Sequence, residues 1–318
     1  MIILGCGLTT IGFAWGGVQS PWSSAQVLAP LLVGFALLIS FGLYESRIPK
    51  QPIVPPSLFK NRTALSGYLC IATHGIASTA FIFYMPVYFQ AVLGHSPVHS
   101  AIDFLSSVLV IVTAAFIAGV VVSYAEFHRL PIYTGWGLMM IGFGLLSTLT
   151  EASTTGKWVG YQILAGAGAG LLYSTPSLLM LKSLPASRAA SALSLSNLVR
   201  AFGQTWGITI ASTIMQNLLT KSLSSQTITF ADIPEISNSP EVRHAFARSI
   251  MVIWETMVGV CGVGLLGSLL MKEVKASNRG NLVCALKKCG SPPIRNERST
   301  NRDLERGIPM EARESSGR

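Results

Sequence analysis

Long apolar runs recur along this chain, separated by short polar breaks. They lie near residues 1–18, 27–44, 64–89, 99–123, 131–149, 158–181, 189–217 and 250–271. A helix of about 20 apolar residues crosses the hydrocarbon core of a bilayer, whereas a helix in a soluble core does not need that length. The pattern therefore predicts an all-α integral membrane protein with about eight transmembrane helices.

The charge of the chain agrees with a membrane location. Only 12% of its 318 residues are charged, and the formal net charge is +9. In a soluble protein such a basic balance would raise the question of nucleic-acid binding. Here the basic residues concentrate in the predicted loops and in the tail, so we expect contact with a lipid bilayer and no nucleic acid.

The basic residues also predict the orientation, because short cytoplasmic loops carry the excess of Lys and Arg. The turns at 19–26 and 93–98 carry none, whereas the connection at 45–63 carries Arg47, Lys50, Lys60 and Arg62. The N-terminus, this connection and the basic tail at 272–318 are therefore expected on the cytoplasmic side. The tail has the composition of a disordered segment.

Five stretches resemble the fourteen-span drug:H+ antiporter type of the major facilitator superfamily, which is abundant in filamentous fungi. They are WGGVQSPWSS from Trp15, PIVPPSLFKNRT from Pro52, FIFYMPVYFQAV from Phe81, GKWVGYQILAGAGAG from Gly156 and SLSNLVRAFGQTWGITIAS from Ser194. By this resemblance, residues 1–63 are the two central helices with a linker, and residues 64–271 are the C-terminal six-helix bundle. The N-terminal six-helix domain has no counterpart.

The resemblance also implies a function. It implies proton-coupled efflux of toxins, drugs or secondary metabolites by alternating access, at the plasma membrane, with a small molecule as substrate and protons as coupling ions. A separate N-terminal half or a full-length transporter would be the protein partner. Two alternatives stay open: a non-transporting membrane scaffold or partner of full-length transporters, and a carrier specific for siderophores or another solute.

Enzyme chemistry has no motif in this sequence. We find no repeated histidine cluster, no paired intramembrane aspartates and no nucleophile elbow. His95 and His99 lie four residues apart, but they lack further neighbours that could complete a metal site. We therefore expect no catalytic residue, no cofactor and no metal ion.

The seventh predicted span carries the ionisable residue that most needs an explanation. Arg200 lies well inside this span, where a charge is costly unless it faces protein or water. Asn197 and Gln204 share its helical face, and Gly203 and Gly207 form an adjacent stripe of small residues. This face either contacts an anionic or hydrogen-bonding substrate in a central cavity, or packs in the bundle with Arg200 neutralised by a carbonyl or carboxylate.

Two further polar residues lie within apolar spans. His74 is either a proton-linked group or a packed, hydrogen-bonded histidine. Gln162, Gly166 and Gly170 recur every four residues, which favours a close helix contact with one polar group near the cavity.

Prolines also interrupt two of the predicted spans. Pro86 and Pro176 each remove a backbone hydrogen bond and can bend their helix. Such bends either serve gating or shape the bundle.

Overall fold

Eight α-helices make up most of the described chain. The computed structural model describes residues 2–16, 20–47, 62–124, 129–184, 188–222 and 239–271, which contain no β-strand. The helices are α1 Ile2–Trp15, α2 Ala25–Arg47, α3 Arg62–Val87, α4 Pro97–Tyr124, α5 Leu130–Leu146, α6 Thr155–Lys182, α7 Ala189–Ser222 and α8 Pro240–Leu269. The fold is all-α, as the apolar runs predict. Most of the 45–63 connection and the whole 272–318 tail lie outside the described residues.

The described helices include 5 that are long and apolar enough to cross a membrane. These segments are Ala25–Glu45, Arg62–Val92, Pro97–Val122, Thr155–Leu181 and Pro240–Leu269. Two shorter apolar segments, Ile2–Phe13 and Leu130–Leu146, accompany them. Helix α7 is not among the five although it has 34 residues. It carries the polar face that includes Arg200, which lowers its hydropathy.

Helix α8 begins earlier than the apolar pattern predicts. It starts at Pro240, whereas the predicted span starts at residue 250. A proline suits the first turn of a helix because its missing N–H would have no partner there, and Glu241 complements the positive helix terminus. The early turns also carry His244 and Arg248, so a hydropathy pattern does not detect them.

Both predicted proline interruptions lie within helices. Pro86 belongs to α3 and Pro176 to α6. Two residues after Pro86, the α-helical pattern of α3 changes into a π-helical turn, Tyr88–Val92. The Ser100 hydroxyl of α4 donates a hydrogen bond to the Pro86 carbonyl at 3.1 Å. Turns of this kind occur often at functional sites, and a gating role for either proline stays a prediction.

Helix α3 has the central position in the bundle. It packs against α6, α7 and α8, while α4 and α5 pack against α6. An aromatic cluster joins α3, α5 and α8: Phe143 stacks on Trp254 with ring centroids 5.6 Å apart, and Phe81 lies 5.9 Å from Phe143. All three rings are buried. Helices α1 and α2 pack on each other, and α1 also contacts α7.

Glycines allow two of these helix pairs to approach backbone to backbone. A Cβ atom on Gly203 or Gly207 of α7 would overlap a carbonyl oxygen of α3, that of Ala72 or Ile76 respectively. On α6, a Cβ atom on Gly170 would overlap the Ile111 carbonyl oxygen of α4. Close contact through small residues is a common way for membrane helices to associate.

Candidate functional site

Arg200 of α7 reaches toward α3 and α6. Its Nη2 donates a hydrogen bond to the Tyr173 carbonyl oxygen at 2.8 Å, and its Nη1 lies 3.3 Å from Nδ1 of His74. The guanidinium carbon also lies 4.4 Å from the centre of the Tyr173 ring, a cation–π distance. Three helices therefore meet at one guanidinium group.

The hydrogen bonds of His74 assign its tautomer. The side chain is buried, and its Nε2 lies 2.9 Å from the Ala169 carbonyl oxygen. A carbonyl only accepts hydrogen bonds, so Nε2 carries the proton. Nδ1 then accepts the hydrogen bond from Arg200, because a guanidinium only donates. The histidine is neutral in this arrangement.

The approach of α7 to α3 brings these two side chains together. A Cβ atom on Gly75, next to His74, would lie 2.9 Å from the Arg200 carbonyl oxygen. That distance is too short for any larger residue without a backbone shift. The glycines of both helices thus bring the His74 ring within hydrogen-bonding distance of Arg200.

The charge of Arg200 has no acidic partner among the residues that the structure describes. The ion pairs found there join His95 to Asp103 at 2.7 Å and His244 to Glu151 at 3.6 Å. Arg200 is half-buried, and its recorded contacts are a neutral ring, a carbonyl and a neutral histidine. In the same part of the chain, no group of three or more His, Cys, Asp or Glu side chains could hold a metal ion.

The other two residues of the predicted polar face do not join this contact. Asn197 is exposed and Gln204 is half-buried. Within the described chain, neither side chain has a recorded hydrogen bond or ion pair. They lie on the same face of α7 as Arg200, which leaves that face polar beside the guanidinium.

Gln162 lies in a separate place, between α6 and α4. It is fully buried: its Oε1 accepts a hydrogen bond from the Ser107 hydroxyl at 2.8 Å, and its Nε2 donates to the Ser106 hydroxyl at 2.7 Å and the Asp103 carbonyl at 3.0 Å. One helical turn further on, Gly166 lies against the Ser107 backbone. The Gln162 amide therefore uses both of its donors inside the helix contact.

Tyr173 is the site residue that the sequence analysis does not identify. It contributes a backbone carbonyl and a ring face to Arg200, and its ring also meets the His74 ring edge to face at 6.3 Å. A signal was present, because Tyr173 follows Gly166 by seven residues and therefore shares its helical face. The backbone contact itself has no sequence signature.

Comparison with known proteins identifies the relatives of this chain. Residues 1–156 match the model of a family described as fungal trichothecene efflux pump (TRI12). An MFS-type transporter of the acurin A biosynthesis cluster of Aspergillus aculeatus is 32% identical over 86% of this chain and 53% of its own length. MFS-type transporter pydD of an Acremonium species is 33% identical over 96% of this chain and 54% of its own length.

Two further matches agree. Efflux pump FUS6 of Gibberella moniliformis is 28% identical over 87% of this chain and 53% of its own length. The chain thus spans about half the length of these curated relatives. A bacterial homologue of the human lysosomal transporter Spinster shares the fold, with a TM-score of 0.55 at 15% identity over 86% of this chain and 64% of that structure. The chain belongs to the major facilitator superfamily of transporters, alongside fungal efflux pumps.

Proposed function

We propose that this chain forms a helical half of a transporter that exports toxins, drugs or secondary metabolites. The site formed by Arg200, His74 and Tyr173 contacts the substrate. One observation carries this proposal: within the described residues, an arginine inside a membrane-embedded bundle is held by neutral groups alone. Such a charge is costly in a membrane unless it faces protein or water, and charged residues inside membrane helices commonly mark a substrate or ion pathway. Asn197 and Gln204 extend the same pathway along α7.

The transport mechanism follows from the family. Major facilitators work by alternating access, in which two six-helix bundles rock about a site between them. Helices α3 to α8 supply one such bundle, and a second bundle, joined to this one or separate, would enclose the site. The names of the relatives support export as the direction, since the matched family and FUS6 are both described as efflux pumps.

Proton coupling is the finer part of the proposal, and we place it at His74. The Arg200 hydrogen bond requires a lone pair on Nδ1. Protonation would replace this lone pair with an N–H and bring two cations together, which breaks this one hydrogen bond between α3 and α7. A protonation step would thereby change helix contacts, as a proton-coupled transporter needs.

The proposed location is the plasma membrane, with the N-terminus and the tail in the cytoplasm. The excess of basic residues at 45–63 supports this orientation. A protease-protection assay on sealed vesicles, with one epitope tag at each terminus, checks it. In vesicles that keep the outer face of the membrane outward, cleavage of either tag by the added protease would contradict it.

A transport assay tests the function. The chain is expressed together with a second six-helix bundle in yeast that lacks its own drug exporters, and the cellular accumulation of a panel of fungal metabolites and dyes is measured. We expect lower accumulation of at least one compound when the wild-type chain and the second bundle are present together, no such effect with the chain alone, and loss of the effect in Arg200→Gln. Arg248→Gln, which removes an exposed arginine of α8, is the matched control and should export normally. Export that is absent from the wild type, or unchanged in Arg200→Gln, would refute the proposal.

A further inference from the structure

We infer that helices α1 and α2 fix the rotation of α7 about its own axis and so hold Arg200 in place. Phe13 of α1 and Trp206 of α7 are the positioning residues. The inference rests on the proposed function, because it names what supports the same site. Its geometric part concerns helix positions alone, so it can be tested without transport.

The pair formed by α1 and α2 joins the rest of the bundle at α7. Helix α1 packs on α2 and on α7, and within the described chain no other bundle helix packs on the pair to a comparable extent. Most of the apolar segment of α2 is not buried. The pair therefore lies beside the helix that carries Arg200, and its main contact with the bundle is made there.

Aromatic rings form the contact between α1 and α7. The rings of Phe13 and Trp206 meet edge to face with centroids 4.9 Å apart. Phe202 lies 5.9 Å from Trp206, and Trp22, from the turn after α1, lies 6.2 Å from Phe13. The Thr213 hydroxyl, on the same face of α7 as Trp206, donates a hydrogen bond to the Phe13 carbonyl at 3.3 Å. Aromatic pairs have preferred orientations, so this contact opposes rotation of α7 as well as its separation from α1.

The contact of α7 with α3 is of a different kind. Trp206 directly precedes Gly207, and Gly203 lies one turn earlier; both glycines lie against carbonyl oxygens of α3. Glycine allows close approach, but it offers no side chain that could interdigitate with the facing helix. The glycine contact thus determines the distance between the helices better than the rotation of α7. The aromatic contact with α1, at the same level of α7, supplies the missing constraint.

Arg200 would be displaced if α7 rotated. A group at the surface of a helix, about 6 Å from the axis, moves by about 2 Å when the helix rotates by about 20°. That displacement is large beside the 2.8 Å hydrogen bond to the Tyr173 carbonyl and the 3.3 Å contact with His74. A small rotation of α7 would therefore stretch both contacts of the guanidinium.

Spin-label distances in the full chain test the rotation. The five native cysteines are replaced, and the protein is placed in lipid nanodiscs. A nitroxide at Ile208 of α7 is paired in turn with one at Val112 of α4 and one at Leu266 of α8, all exposed positions. Two reference helices are needed because a rotation that leaves one distance unchanged alters the other. In Phe13→Leu, which loses the ring, we expect at least one mean distance to shift by about 2 Å.

Two further variants serve as controls. Trp206→Phe keeps an aromatic ring opposite Phe13 and should give wild-type distances. Phe35→Leu removes an exposed ring of α2 and should also leave them unchanged. We expect every variant to fold, since α7 also packs on α3 and α8. Unchanged distances in Phe13→Leu, or an equal shift in Phe35→Leu, would overturn the inference.

Export measurements separate this inference from the proposed function. With the second bundle present, Phe13→Leu should lower export about fivefold or more, which corresponds to about 1 kcal/mol of substrate binding. Trp206→Phe and Phe35→Leu should export normally. Shifted distances with normal export in Phe13→Leu would show that the site does not depend on the rotation, and would overturn the inference. If the wild type itself does not export, the distances still decide the geometry, and the proposed function alone fails.

Discussion

Two polar groups of this bundle lie at glycine-lined helix contacts, and they differ in how completely the protein satisfies them. Gln162 is fully buried between α6 and α4, with three hydrogen bonds to neighbouring groups. Arg200 is half-buried between α7, α3 and α6, with two hydrogen bonds and a net charge that no described carboxylate balances. The same packing device, close glycine contact, surrounds both.

The difference separates a structural polar group from one that suits a ligand. A neutral amide whose donors are all used can join helices at little electrostatic cost, whereas a charge with free donors leaves a demand that the bundle does not meet. The position of a residue along its helix does not distinguish the two cases, since both residues lie within membrane-length helices. Their partners do.

The largest expected effect belongs to Arg200→Gln. If the guanidinium binds substrate, its loss should reduce export about 30-fold or more, the scale of truncating one member of a buried charge contact. Thermal stability should be unchanged or higher, because a costly charge leaves the membrane interior. Efflux rates and melting temperatures of the purified variant check both parts, and a destabilised protein with normal efflux would reverse the assignment.

Next in size is Gly207→Ala at the contact between α7 and α3. The new Cβ would overlap the Ile76 carbonyl oxygen, and backbone cannot yield as a flexible side chain does. We expect a loss of about 2 kcal/mol in the free energy of unfolding. Gly262→Ala, where a Cβ meets nothing within 4 Å, should be neutral or stabilising. Equal stability of the two variants would mean that the helices do not approach as closely as described.

Gln162→Leu should show the opposite pattern to Arg200→Gln. It leaves the Ser106 and Ser107 hydroxyls and the Asp103 carbonyl without their amide partner, at a cost of about 1–2 kcal/mol in unfolding free energy. Efflux per folded molecule should stay near the wild-type rate. Gln204→Leu is the matched stability control, since Gln204 is half-buried and has no recorded hydrogen bond in the described chain. A selective loss of efflux in Gln162→Leu would join Gln162 to the substrate pathway.

The smallest effect is expected from Ser107→Ala. It removes one of the three hydrogen bonds of Gln162, and such a bond contributes about 1 kcal/mol net. Chemical denaturation in detergent micelles resolves a change of this size. A loss as large as that of Gln162→Leu would show that the serine hydroxyl holds the whole amide network.

The sequence predicts the helices well and the site only in part. Apolar runs determine where membrane helices lie because length and hydropathy are local properties, and the start of α8 is missed where the helix becomes polar. His74 and Arg200 are each recognisable as costly residues, but they lie 126 residues apart. Their contact depends on how α3 and α7 pack. The acceptors on Ala169 and Tyr173 are backbone carbonyls, which no side-chain pattern reveals.

Water access to the two polar groups tests the central claim most directly. The five native cysteines are replaced, and Tyr173→Cys and Gln162→Cys are each introduced into that background. A charged thiosulfonate reagent that cannot enter lipid is then applied to membrane vesicles. The account predicts rapid labelling at position 173 and no labelling at position 162. Equal reactivity at both positions, or none at 173, would contradict the claim that the Arg200 site opens to an aqueous pathway.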